Sequence, residues 1–180
     1  MSLFVAIKPP ELAREDLRDA IDHVRKPLTS VALHWQPVER WHVTMAFLGD
    51  QDDDADEAVA ACVDEVAAGP ATVRLALGGA GSFGRQVLWI GIRDDTAGLS
   101  VIARTLHSRL RAARFPVEKR PWQPHLTVAR TRGTDARPAV RYLEGYMGPE
   151  WELAEVIVIR SEGGPNPRHT VIHSAAIALP

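Results

Sequence analysis

The sequence predicts an α+β fold: two lobes related by a pseudo-twofold axis, each an antiparallel sheet with helices outside, facing one another across a central cleft. Three observations carry this expectation. First, the stretches Trp41–Leu48 and Pro124–Arg130 both read His-x-Thr-x-Ala with apolar residues at each x. Second, strand, helix and His strand follow one another twice at nearly one period. His42 lies 37 residues after Val5, and His125 lies 36 after Trp89; duplicated halves commonly pack about a twofold axis. Third, helical and strand periodicities follow one another with no linker or low-complexity segment, as in a mixed α+β chain. Residues 1–180 are therefore read as a single domain of two interleaved lobes.

Leu3–Ile7 is a short apolar run and reads as a central strand. Pro9-Pro10 ends it, and Pro10 suits the first turn of a helix. Leu17, Ala20, Ile21 and Val24 recur at helical spacing and predict an amphipathic helix ending near Pro27. Strands are expected over residues 31–35 and 40–48, with Gly49 stopping the second. The next helix carries Ala55, Val59, Cys62, Val63 and Val66 on one face, with acids at its N-terminal end, where the helix dipole favours them. Gly69-Pro70 ends it. Residues 72–77 alternate as a strand.

Residues 78–84 contain Gly79-x-Gly81-x-x-Gly84. A dinucleotide fingerprint must open a helix. This one runs into the apolar stretch 87–92, so it reads as a hairpin or bulge loop. Leu99, Ile102, Ala103, Leu106, Leu110 and Ala113 predict a second long helix. After the second His strand come a helix around 136–146, a strand over 151–160, a Gly/Pro loop over 163–167 and a final strand over 170–179.

Composition excludes several classes. The chain is 46% hydrophobic and 24% charged, ordinary for a globular protein, and no apolar run reaches membrane-spanning length. Its start lacks the basic and cleavage regions of a signal peptide. One cysteine, Cys62, excludes an internal disulfide and fits a reducing cytoplasm. The net charge of -2 is not that of a generally basic nucleic-acid binder, yet it is unevenly spread: residues 50–65 hold eight acids, and residues 104–141 hold ten Lys and Arg. A basic stretch around the second His motif is placed to attract phosphate.

Strand alternation puts His42, Thr44 and Ala46 on one face and His125, Thr127 and Ala129 on the corresponding one. Two imidazoles facing one cleft can accept one proton and donate another near neutral pH. Displacement at phosphorus needs both: water loses a proton as it attacks, and a leaving alkoxide gains one. Thr44 and Thr127, one pleat away, can hydrogen-bond non-bridging oxygens. Ala46 and Ala129 would leave room for the phosphate. No metal or cofactor is expected, since Cys62 lies on a helical apolar face and His34, His107, His169 and His173 have no ligand-like spacing with the pair.

With these residues in place the chain resembles the 2H phosphoesterase superfamily, most closely its RNA 2′,3′-cyclic phosphodiesterase branch, the 2′-5′ RNA ligase-like proteins. The similar segments are residues 3–10, His42 to Gly49, Val87 to Trp89, Arg120 to Arg130 and Arg160-Ser161. The resemblance implies a bilobal α+β fold and metal-independent hydrolysis of an RNA-terminal 2′,3′-cyclic phosphate to a 2′-phosphate. It implies His125 as general base on water, His42 as general acid for the departing 3′-oxygen, and Thr44 and Thr127 as phosphate holders. Arg130 is implied as a further substrate contact, although strand parity places it opposite His125. The family often has Tyr near position 169, where this chain has Arg168-His169.

Further candidates are Arg120 as a phosphate contact and Trp41, with Trp122, as a base-stacking surface. Parity assigns Phe47 to the core. Arg85 and Arg132 are candidates for an RNA track, while His34 and His107 read as ordinary surface or helix histidines. The expected partner is an RNA 3′ end or a nucleotide with a 2′,3′-cyclic phosphate, bound by a monomer. Two other readings stand beside this one: an enzyme for a small cyclic phosphate such as a nucleotide or ADP-ribose derivative, and an RNA-binding module that does no chemistry.

Overall fold

The computed structural model describes residues 1–28, 31–69, 71–164 and 167–178. Pro70, Pro165, Asn166 and Leu179, named in the expected helix end, Gly/Pro loop and final strand, lie outside the described residues. The architecture is α+β. In chain order it is β1 (Ser2–Ile7), α1 (Glu11–Arg25), β2 (Leu33–Trp35), a 3-10 turn (Val38–Arg40), β3 (Val43–Asp50), α2 (Ala55–Ala67), β4 (Arg74–Phe83) and β5 (Val87–Arg93). Then come α3 (Gly98–Ala112), β6 (His125–Thr131), α4 (Arg137–Leu143), β7 (Met147–Glu152), β8 (Glu155–Glu162) and β9 (Arg168–Ala176).

The nine strands form one antiparallel sheet in the order β7-β4-β5-β6-β3-β1-β8-β9, with β2 added against β6. The expected strand over 151–160 is two strands. β7 ends at Glu152 near one edge of the order, and β8 starts at Glu155 towards the other. Three Cα–Cα steps reach at most about 11 Å, so the sheet must curl to bring those ends together. Leu153 N–H donates to Val73 O at 2.9 Å, and Ile177 N–H to Ala154 O at 2.8 Å, pinning the crossing on both sides. α1 and α4 pack near β4 and β7, whereas α2 lies against β8, β9 and α3. Apolar side chains from every layer, among them Leu17, Val43, Val63, Leu106 and Leu126, form one buried cluster.

β3 and β6, the two His strands, lie side by side at the centre but pair only at Val43 and Leu126. Each carries a bulge at the same place in its motif. Ala6 pairs with Thr44 and Val5 with Ala46, leaving Met45 extra. Trp89 pairs with Thr127 and Leu88 with Ala129, leaving Val128 extra. A bulge puts two residues opposite one and resets the alternation beyond it. Met45 and Ala46 are therefore both buried, as are Val128 and Ala129. This corrects the expectation that the alanines leave room for a phosphate; they face the core. Phe47, assigned to the core by parity, is 57% exposed, and Arg130 turns to the same face as His125.

Backbone carbonyls released around the bulges find donors. Thr44 O accepts from Trp122 Nε1 at 2.9 Å, Met45 O from His107 Nε2 at 2.6 Å, and Val128 O from the Gln36 amide at 2.8 Å. His107, a helix histidine as expected, is thus also a structural donor to β3.

The glycine-rich segment is mostly strand. β4 bulges between Leu77 and Ala80 and continues to Phe83, with the hairpin turn following at Gly84, where φ is +55°. Gly81 lies beneath the Trp89 indole, and any Cβ there would run into the ring. Gly49 does not stop β3; it pairs with Leu3 and the strand runs to Asp50.

The acidic segment before α2 is gathered by one buried cation. Arg160 is 7% exposed. Its Nε donates to Asp56 Oδ1 at 2.9 Å, its Nη1 to Gln51 O at 2.8 Å and its Nη2 to Asp52 O at 2.6 Å. Removing one partner of a buried ion pair leaves the others desolvated and unpaired. Because Asp56 is about one-third exposed, water offsets part of that loss. Arg160→Met is expected to lower unfolding free energy by about 2 kcal/mol in urea titration.

Candidate active site

A cavity of about 340 Å³ opens over the centre of the sheet, lined by His42, Thr44, His125 and Thr127, with Arg40, Arg130 and His169 at its walls. Both motif histidines are oriented alike. His42 Nδ1 lies 2.7 Å from Arg40 O, and His125 Nδ1 lies 2.8 Å from Gln123 O, in each case the carbonyl two residues back. A carbonyl only accepts, so each Nδ1 carries the hydrogen and donates. In the neutral ring each Nε2 then presents a lone pair.

Aromatic rings hold both imidazoles. Phe4 lies 5.0 Å from the His42 ring, and His169 meets it edge-on at 5.4 Å and 75°. Phe83 meets His125 edge-on at 4.6 Å and 86°, with Trp89 at 6.3 Å. Burial pulls the His42 imidazole down to about 4, opposed by its bond to the Arg40 carbonyl and assisted by repulsion from His169, Lys8 and His125. Burial, then Arg40 and Lys8, also push His169 below the ordinary histidine range. The free site thus disfavours a proton on His42 and is set up to receive negative charge.

The sequence-selected residues divide. His42, Thr44, His125, Thr127 and Arg130 come together in the cavity. Trp41 does not: it is 3% exposed and its indole N–H donates to Gln36 O at 3.2 Å, so its ring is core and cannot stack a base. Trp41 is extended, so alternation puts it opposite His42, on the buried side with Val43. Arg120 is 88% exposed at its side chain, pairs with Glu118 at 3.3 Å and lines a neighbouring hollow instead. Arg85 pairs with Asp135 at 3.4 Å. Among the described residues no group of three or more His, Cys, Asp or Glu is gathered to hold a metal ion, and no helix is long and apolar enough to cross a membrane.

Phe4, Arg40, Phe83 and His169 reach the site without having been singled out for it. His169 carried a signal, since it stands where a Tyr is common among similar sequences. It reaches His42 because β9 pairs Ser161 with His169 while Ser161 pairs with Ser2, next to β3.

A curled antiparallel sheet with four helices is a fold this chain shares with LigT-like structures. The structure of TT0787 from Thermus thermophilus superposes with a TM-score of 0.81, covering 99% of each chain at 24% identity. An E. coli LigT structure complexed with 3′-AMP gives 0.78, covering 98% of this chain and 97% of that one at 23% identity. The model of the 2′-5′ RNA ligase superfamily matches residues 7–165, and the chain belongs to that superfamily.

Curated relatives named RNA 2′,3′-cyclic phosphodiesterase include proteins of Aeropyrum pernix and Thermus thermophilus. The first is 32% identical over 73% of each chain. The second is 29% identical over 98% of this chain and 90% of the relative. A third, from Geobacillus stearothermophilus, is 29% identical over 77% of this chain; the match spans just under half, 46%, of that relative's length.

Proposed function

We propose that the protein hydrolyses an RNA-terminal 2′,3′-cyclic phosphate to a 2′-phosphate by acid–base catalysis from His42 and His125. One observation carries the reading: two imidazoles line one cavity, each with Nδ1 tied to a backbone carbonyl and Nε2 left for a substrate. A module that only bound phosphate would have no need of two titratable groups so oriented. The names of the curated relatives point the same way.

In this reading the molecule is two lobes about a pseudo-twofold axis between β3 and β6, a view supported by their matching bulges and by β1 and β5 flanking them. A water oxygen attacks phosphorus and gives its proton to His125 Nε2. The P–O3′ bond breaks, and the 3′-oxygen takes a proton from His42 Nε2. The product carries a 2′-phosphate and a 3′-hydroxyl. Thr44 and Thr127 donate to the non-bridging oxygens, and Arg130, turned inward by the β6 bulge, balances their charge. Exposed Phe47 and Phe83 flank the adjoining hollow and offer faces for the terminal base.

The test is turnover of a 2′,3′-cyclic nucleotide and of a short RNA with a cyclic end, in the presence of a chelator, with the product identified. Chelator-resistant formation of the 2′-phosphate is expected. A 3′-phosphate product, or no turnover of either substrate, would overturn the reading.

A further inference from the structure

Two hollows adjoin the catalytic cavity, and their charges differ. The one beyond Thr44 and His125, about 570 Å³, is faced by Phe47, Phe83 and Trp122, and its acid, Glu118, pairs with Arg120. The one on the other side, about 690 Å³, shares Gln36, Arg40 and Arg130 with the cavity and continues to Arg132 and His34. No carboxylate among the described residues lines this second groove. Among the described residues none of Arg40, Arg130 and Arg132 has an acid within ion-pair distance, in contrast to Arg85 close by. Three guanidinium groups around one groove without a counter-charge repel one another, and a polyanion relieves that repulsion.

β6 and the bend just after it supply the rail. Beyond the bulge, Arg130 and Arg132 are exposed on either side of buried Thr131, about 7 Å apart along an extended chain. Thr127, Arg130 and Arg132 thus lead away from the reacting phosphate in sequence. On β2, His34 pairs directly with Arg130 across the strands. An RNA ending in a cyclic phosphate has all its other phosphates on the 5′ side and none beyond, so such a substrate needs one basic groove, not two.

We propose that this groove holds the phosphodiesters 5′ of the terminal nucleotide, making a single-stranded oligonucleotide the preferred substrate over a mononucleotide. The inference rests on the phosphodiesterase reading above. Arg132 is the specificity-determining residue, because it lies in the groove but outside the cavity where the chemistry occurs.

The experiment compares kcat/KM for a trinucleotide ending in a 2′,3′-cyclic phosphate with that for a 2′,3′-cyclic mononucleotide lacking a 5′-phosphate, in wild type and Arg132→Gln, across a salt series. Wild type should favour the trinucleotide by about tenfold or more at low salt. Arg132→Gln should lose about that factor on the trinucleotide, leave the mononucleotide unchanged, and lower the salt slope by about 0.7. Equal rates on both substrates in wild type, or equal effects of the variant on both, would overturn the groove assignment while leaving the phosphodiesterase reading intact. If wild type turns over neither substrate, the phosphodiesterase reading falls by itself. The groove is then judged by binding of a trinucleotide bearing a terminal 2′-phosphate, and equal affinity for wild type and variant would overturn it too.

Discussion

His42→Ala and His125→Ala are each expected to lower kcat on a 2′,3′-cyclic phosphate by about 10³-fold, within the range that a positioned acid or base contributes. Each ring is held in its own setting. His42 is enclosed by Phe4 and His169 and His125 by Phe83 and Trp89, and each Nδ1 is committed to a carbonyl. The two proton transfers belong to one displacement, so the double variant should fall well short of the product of the single losses. Thr44→Ala and Thr127→Ala remove a donor to a non-bridging oxygen and should cost less, since each leaves the proton transfers in place. Asparagine serves as the structural control, because its amide can keep the hydrogen bond to the carbonyl without titrating. Single-turnover rates with the fold checked by circular dichroism decide the matter. Either histidine variant retaining activity within tenfold of wild type would remove that residue from the chemistry.

The first three residues of each motif were legible from alternation, and the three long helices from apolar spacing, because periods of two and 3.6 are written directly in side-chain identity. What alternation could not show was the bulge. At Met45-Ala46 and Val128-Ala129 every residue is apolar, so nothing in the chemistry marks where the period slips. Parity carried past that point inverts the assignment, sending Phe47 and Arg130 to the core and the alanines to the site. One clue was present: an arginine placed by parity on an apolar face is a contradiction, and a bulge resolves it. The wall formed by His169 was illegible for a different reason. It depends on β9 pairing with its neighbour β8 and on β8 pairing with β1, the second a contact between segments about 150 residues apart. Trp41 as a stacking surface ran against parity, which puts it on the face of Val43, where it is buried.

The burial of His42 should make stability depend on pH in a predictable direction. Its folded value of about 4 lies below the ordinary 6.5, chiefly because the imidazolium would be desolvated. Between those values the unfolded chain binds a proton that the folded one refuses, so stability is full above pH 6.5 and is lost as pH falls towards 4. One pKa unit corresponds to about 1.4 kcal/mol, so this group accounts for about 3 kcal/mol over that window. Urea unfolding of wild type and His42→Asn at pH 7 and pH 4 should show the wild type losing about that much more; parallel losses would show that burial of His42 is not the cause. The same linkage bears on which histidine is the acid. If His42 donates the proton to the leaving oxygen, a bound phosphate must first restore that proton, and calorimetry in buffers of different ionisation enthalpy should register proton uptake at pH 6 in wild type but not in His42→Asn. Binding without proton uptake would leave His42 neutral in the complex and assign it instead to the base, with His125 as the acid.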